Sequence, residues 1–286
     1  MSRTEHHTPK YNNDGNGKFN LSYHLEMVGD SERVGRVKQA IDYYIKPDSV
    51  FCELGCGTGI FSIYAAKKCK IVYAVEWDKK ILEVAKRNTA QSGVEGKIDF
   101  IHADATKVTL PEKVDIVFCE MMSIWLINEP QVLAMNNAID KLLRSNGAVI
   151  PRKVINLVEL GNVDYRFDDV EMRASIAEFS GIRPPRIATE SKVVNIVNLQ
   201  EKNELKISTS VNMISLVSGN LNCVRLSSIV EFAPEIHFYS TDTLMPVTIV
   251  PLKDDIMVKE GETIILDIEY SCRTSVDDSV FKIRKT

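Results

Sequence analysis

Two glutamates, Glu120 and Glu129, stand nine residues apart in the stretch CEMMSIWLINEP (119–130), whose other residues are almost all apolar or small. A carboxylate in apolar surroundings is costly unless a cation or hydrogen-bond donors satisfy it. Read singly, Glu120 is a strand-end acid, and Glu129 an acid in the first turn of a helix, where the dipole favours negative charge. Read together, they leave open which group satisfies both. A second chemistry sits upstream. Glu53 opens a turn, E-L-G-C-G-T-G, in which Gly55, Gly57 and Gly59 flank Thr58. Glycines there let the backbone approach a ligand closely and present N–H groups at a helix start. The dinucleotide fingerprint is GxGxxG, whereas this is GxGxG with an acid two residues ahead. Glu76 ends the apolar run VYAVE, where a carboxylate can accept both hydroxyls of a ribose. Asp104 closes IHADA beside Ala105, placed to accept from the amino group of an adenine. The plain alternative for each of these acids is a solvated strand end.

The elements that carry these residues alternate. SVFCEL (49–54), KIVYAVE (70–76), KIDFIHAD and KVDIVFCE read as strands, and IFSIYAAKK and DKKILEVAKRNTAQSG as helices, the latter with Asp78 as N-cap and Gly93 past its end. A further helix is expected from Asn128 through NEPQVLAMNNAIDKLLRSNG, with Met135, Ile139, Leu142 and Leu143 on one face. Val34, Val37, Ile41, Tyr44 and Ile45 share the face of a helix preceding the first strand. Strands alternating with helices predict an α/β fold with a doubly wound parallel sheet. Ligands of such sheets bind across the strands' carboxyl ends, where all these acids fall. After Pro151 the rhythm changes to LKISTSVNMISLV, CVRLSSIVEF, MPVTIVPL and TIILDIEYS. In the last of these Ile264, Leu266, Ile268 and Tyr270 alternate with polar or outward residues, a period of two. That predicts an antiparallel β-barrel or sandwich. Three segments follow: a flexible polar N-terminus over 1–22, a cofactor-binding domain over 23–150 and a β-barrel substrate domain over 151–286.

Composition narrows the function classes. The 286 residues are 44% hydrophobic and 26% charged with net charge -4, so nothing announces a nucleic-acid surface. No apolar run is long enough to span a bilayer, and the first residues lack a signal region. Six cysteines are scattered without a CxxC pair, which supplies no zinc site and points to a cytoplasmic protein with free thiols.

With these residues in place the chain resembles the protein arginine methyltransferases, over about residues 20–270. The [DE]xGxGxG turn is the S-adenosylmethionine loop of class I, Rossmann-like methyltransferases. His24-Leu-Glu-Met27-Val-Gly-Asp30-Ser-Glu-Arg33 is similar to the family's HxEMLxDxxR segment. The resemblance implies that Arg33 holds the methionine carboxylate of S-adenosyl-L-methionine, with Met27 against the cofactor and His24 near it. CEMMSIWLINE is similar to the double-E loop SEWMGYxLxxE, which implies that Glu120 and Glu129 clamp the acceptor guanidinium. VKEGETI resembles the barrel turn VKxGDxI. Three elements depart from the pattern. GNGKFNLS stands where the family has YFxxY, and Thr243-Leu244-Met245 where it has THW. The dimerisation arm is shortened between Asp164 and Asn195, so a homodimer stays open. The implied partner is a protein substrate; no membrane is expected, and the acidic balance gives nucleic acid no support. Three functions remain: arginine methylation, methylation of another acceptor (histidine, an amine-bearing small molecule or RNA) with Leu244 and Met245 rimming a more apolar site, and a cofactor-binding module with weak catalysis. The polar YNNDGNGKFN is expected to order as a lid when cofactor binds.

Overall fold

A computed structural model describes residues 21–178 and 183–285, so the expected YNNDGNGKFN lid lies outside the described residues. Two helices lead in, α1 (Leu21–Gly29) and α2 (Ser31–Tyr44), so Leu21 and Ser22 belong to a helix rather than to the polar N-terminal stretch. Asp30 separates them. Its carboxylate accepts from the Arg33 N–H at 3.1 Å and starts α2, which buries Arg33, Val37, Ala40 and Ile41. There follow β1 (Val50–Leu54), α3 (Ile60–Ala66), β2 (Ile71–Glu76), α4 (Lys79–Gln91), β3 (Ile98–His102), β4 (Val114–Cys119), α5 (Gln131–Asn137) and β5 (Leu143–Ile150). The strands form one parallel sheet in the order β3-β2-β1-β4-β5. Every residue of β1 is buried, as a central strand covered on both faces requires. The chain moves outward from β1 to β2 and β3, then returns to β4 on the other side, which opens a crevice at the carboxyl ends. Asp78 caps α4 by accepting from the N–H groups of Lys80 and Ile81, and Gly93 ends that helix region at φ +68°.

The helix expected from Asn128 to Gly147 is shorter than its periodicity suggested. α5 begins at Gln131, gives way to one wide π turn at Ala138–Leu142, and the chain is already a strand at Leu143. Pairing with β4 overrides local preference here: Val114 lies opposite Leu143, and Arg144 is tied to Asp115 and Glu112. Glu129 therefore precedes the helix and gains nothing from its first turn.

The second half is antiparallel. β6 (Lys153–Asn162) begins just after Pro151 and is followed by a small hairpin of β7 (Arg166–Phe167) and β8 (Val170–Glu171), then by β9 (Ile176–Ala177), β10 (Arg186–Ile187), β11 (Lys192–Asn198) and β12 (Lys206–Ile214). β13 (Gly219–Ala233), β14 (Ile236–Tyr239), β15 (Thr248–Val258), β16 (Thr263–Ser271) and β17 (Val280–Lys285) complete it. β13 is the spine of a seven-stranded sheet, flanked by β6 and β15, while β12, β16 and β17 form a second, three-stranded sheet. Along β16 the period of two is realised: Ile264, Leu266, Ile268 and Tyr270 are buried. One apolar cluster runs from Val37 and Ile41 through the parallel sheet to Leu226 and Ile268 of the barrel.

Candidate active site

At the carboxyl ends of β1, β2 and β4, under α1 and the start of α2, lies a cavity of about 300 Å³. It is lined by His24, Met27 and Arg33 from the helices, and by Glu53, Gly55, Gly57 and Thr58 from the β1 turn. Glu76, Asp104 and Ala105 line it from the next two strand ends, and Glu120 and Glu129 from the loop after β4. Of the expected cofactor-site residues, Gly59 alone does not line the cavity. It holds φ +85° as the N-cap of α3 and packs on α4, where an added Cβ would sit 3.2 Å from that of Ala85. Its conformational freedom allows the close packing of α3 on α4.

The glycine turn is bare where it faces the cavity. Gly57 has φ +53°, and a Cβ there would stand 3.0 Å from His24 Nδ1. Its N–H donates to Glu76 Oε2 at 3.0 Å, while Glu76 Oε1 accepts from the N–H groups of Trp77 and Asp78, both at 2.9 Å. Burial pushes the Glu76 carboxyl up, and the three N–H donors pull the other way. Oε1 is thereby filled, while Oε2 retains acceptor capacity for a hydroxyl. Glu53, 2% exposed, accepts from the Ser62 hydroxyl, and burial pushes its carboxyl up to about 8. Asp104 lies two residues past β3. It accepts from both the N–H and the hydroxyl of Thr106; burial acts against ionisation, but these bonds with Lys107 and Arg273 hold the carboxyl below its usual range. Burial lowers His24 against the opposing charge of Asp78, so the imidazole beside Gly57 is neutral at pH 7.

Gly57→Ala is expected to weaken cofactor binding about tenfold or more, since a left-handed residue costs roughly 1–2 kcal/mol and the new methyl presses on His24. Calorimetric titration with S-adenosylhomocysteine checks it. Parent-like affinity would show that the turn has room to spare.

The two acids of the loop sit in unlike surroundings. Arg33, 8% exposed, donates through Nη2 to Glu120 Oε2, and its Nη1 lies 2.9 Å from Met27 Sδ. Glu120 Oε1 is buried without a hydrogen-bond partner among the described residues. Glu129 is half-buried. Its poorly solvated position pushes the carboxyl up to about 7, against the lowering effect of the Arg33 charge. A wall with one orphaned carboxylate oxygen and a second reluctant carboxylate is incomplete until a cation with several donors enters.

What holds this loop was not visible in the sequence. Trp125 and Leu126 have φ +54° and +60°, a conformation that costs non-glycine residues about 1–3 kcal/mol each, and both are fully buried. Trp125 Nε1 donates to the carbonyls of Leu157 at 3.1 Å and Ser227 at 3.0 Å, and its ring packs on Tyr270 and Phe281. The loop apex is thus sunk into the barrel. Arg273, from the turn after β16, also lines the cavity at φ +62° and had no signal in the sequence beyond its charge. Leu244 and Met245 do not rim the site. Met245 is 2% exposed in the core, and the Leu244 N–H donates to Asp30 Oδ2 at 2.8 Å, tying that loop to the start of α2.

Comparison with known proteins agrees with this geometry. A methyltransferase-domain family matches residues 51–147. An uncharacterized protein of Methanocaldococcus jannaschii is 31% identical over 192 residues, covering 67% of this chain and 70% of its own length. Protein arginine N-methyltransferase 1 of Chlamydomonas reinhardtii is 31% identical over 179 residues, 61% of this chain; the match spans about half of that relative, 52%. Among solved structures, the arginine methyltransferase 1 enzyme–prozyme heterotetramer of Trypanosoma brucei with AdoHcy superposes with a TM-score of 0.78 over 93% of this chain and 97% of that one, at 18% identity. That likeness is one of fold. By these matches the chain is a methyltransferase-domain protein of class I, similar to the protein arginine methyltransferases.

Proposed function

We propose that this protein transfers the methyl group of S-adenosylmethionine to a guanidinium nitrogen of an arginine in a protein substrate. One observation carries the reading: Glu120 and Glu129, one with an orphaned oxygen, face a single cavity that also contains Arg33 and the glycine turn. The residues suit the cofactor. Glu76 would accept from the ribose, Asp104 and Ala105 would lie at the adenine, and Arg33, flanked by Met27, would meet the methionine carboxylate. His24, neutral beside Gly57, adds no competing charge. Bound there, S-adenosylmethionine supplies a sulfonium methyl already activated for displacement. The chain's own part is position and electrostatics. Glu120 and Glu129 grip the planar guanidinium and aim one nitrogen along the transfer axis. As the N–C bond forms and the S–C bond breaks, sulfur keeps the electron pair and the nitrogen gives up a proton. Glu129, near 7, is the carboxylate suited to receive it and pass it to water.

Incubating enzyme, labelled donor, an arginine peptide and host extract, then hydrolysing the product, tests the acceptor. Methylarginine is expected. Label in a different methylated residue, or in nuclease-sensitive material, overturns the arginine reading.

The pH dependence follows from Glu129. Its folded value lies above the ordinary carboxylate value, so its neutral form prevails below about 7 and the gripping carboxylate appears above it. kcat/KM for the arginine peptide should therefore rise with pH through about 7, with a slope approaching tenfold per unit on the acid side. A profile flat from pH 6 to 8 would remove Glu129 from the clamp.

Six free, buried cysteines and the absence, among the described residues, of a helix long and apolar enough to cross a membrane support a cytoplasmic place. Phe167, Val170 and Met172 of the shortened arm are exposed, which supports a second copy of the chain as partner beside the protein substrate.

A further inference from the structure

We propose that Gln131 is a positioning residue for methyl transfer, a strap that fixes Glu120 relative to Glu129; the inference rests on reading those two acids as the acceptor clamp. Gln131 opens α5, two residues after Glu129, and is fully buried. Its Nε2 donates to the Cys119 carbonyl at 2.7 Å, and its Oε1 accepts from the Met121 N–H at 2.8 Å. Those peptide groups flank Glu120 on either side, where β4 has just ended. Where the β4 ladder ends, the glutamine side chain thus takes over the pairing of these two backbone groups. A glutamine amide offers both a donor group and an acceptor oxygen at this length, and only one orientation of the amide satisfies both partners. A glutamate would keep the bond to Met121 and lose the one to Cys119; a leucine would lose both.

A second clasp closes the same loop from within. The Ser123 hydroxyl oxygen accepts from the N–H groups of Asn128 at 2.8 Å and Glu129 at 3.3 Å. In the double-E pattern that position is glycine, which has no such oxygen. Strap and clasp join the end of β4, the loop and the start of α5 into one unit, so Glu120 and Glu129 keep their separation when a cation enters. Positioning of this kind matters because small misplacements of a reacting group are costly in rate.

The test compares Gln131→Leu and Gln131→Glu with the parent. In the leucine variant kcat/KM for an arginine peptide should fall at least tenfold, mainly through kcat. Affinity for S-adenosylhomocysteine, by calorimetry, should stay within threefold. Amide exchange in peptides spanning 119–131 should quicken more than tenfold, while β1 and β2 keep the parent rate. In the glutamate variant the acid limb of the pH profile should move upward, because a third carboxylate near the clamp opposes ionisation of Glu129. Transfer within twofold of the parent in a folded variant overturns the proposal, as does cofactor affinity lost in step with transfer. Should the leucine variant not fold, the glutamate variant decides: an unmoved pH limb with parent-like exchange overturns it. Host extract with labelled donor runs in parallel. No methylarginine from the parent overturns the arginine reading, while the ratio of total label between variant and parent still decides Gln131.

Discussion

Glu129→Gln should lower methyl transfer to an arginine peptide by roughly 10²-fold or more, the scale seen when one preorganised electrostatic contact to developing charge is removed. Glutamine keeps the shape of the side chain and some hydrogen bonding but takes away the charge and the proton acceptor. Affinity for S-adenosylhomocysteine should stay within threefold, since Gly57, Glu76 and Asp104 lie at other strand ends. Stability should move the opposite way. The Glu129 carboxyl is raised to about 7, so its contribution to stability is fully present below its unfolded value and is lost as pH rises through 7. Replacing it with a neutral amide removes that loss. The variant should therefore melt higher than the parent at pH 8, and the gain should vanish by about pH 4.5, its ordinary value. Glu120→Gln differs in kind. Transfer should drop at least tenfold, but here a buried ion pair between Arg33 and Glu120 is broken, so the melting temperature should fall. Unchanged transfer in either variant would strike that residue from the clamp. Equal melting shifts in both would show that the two acids share one environment, contrary to the orphaned oxygen on one and the raised carboxyl on the other.

The parts of this site legible in the sequence are those whose place depends on strand ends. A parallel sheet carries every β1–β4 carboxyl end to one edge, so Glu53, Glu76, Asp104 and Glu120 converge whatever the loops do. Asp78 and Gly93 were legible for a similar reason, since caps act within a few residues of themselves. What stayed hidden depends on contacts between distant segments. The run from Leu143 to Gly147 has helical periodicity, yet β4 claims it as a strand through Arg144 and Asp115. Gly59 belongs to the glycine pattern but answers to Ala85 on α4. Leu244 aligns with a pocket residue of the family and instead spends its N–H on Asp30. Arg273 reaches the cavity only because the barrel folds back over the loop, as the bond from the Thr274 N–H to the Ile127 carbonyl records.

The same dependence on distant contacts makes Trp125→Ala the most damaging change away from the acids. Removing a buried tryptophan costs about 3–5 kcal/mol from lost burial and the cavity left behind. Here the Leu157 and Ser227 carbonyls also lose their indole donor. A large fall in the denaturant midpoint is expected, and the fall alone would say only that the residue is in the core. The loop adds a sharper expectation. Trp125 and Leu126 stay at positive φ because the barrel holds the indole; without it the backbone is free to relax toward ordinary conformations, and Glu120 and Glu129 relax with it. Transfer should then be lost at temperatures where the variant is still folded, with S-adenosylhomocysteine affinity retained. Trp125→Phe helps separate the two effects, since it keeps an aromatic ring beside Tyr270 and Phe281 and removes the N–H together with the smaller ring. It should cost about 1–3 kcal/mol for the unpaired carbonyls and leave more of the transfer rate than alanine does. Were folded Trp125→Ala to transfer methyl at the parent rate, the barrel would be a passive wall and the clamp would owe its shape to the loop alone.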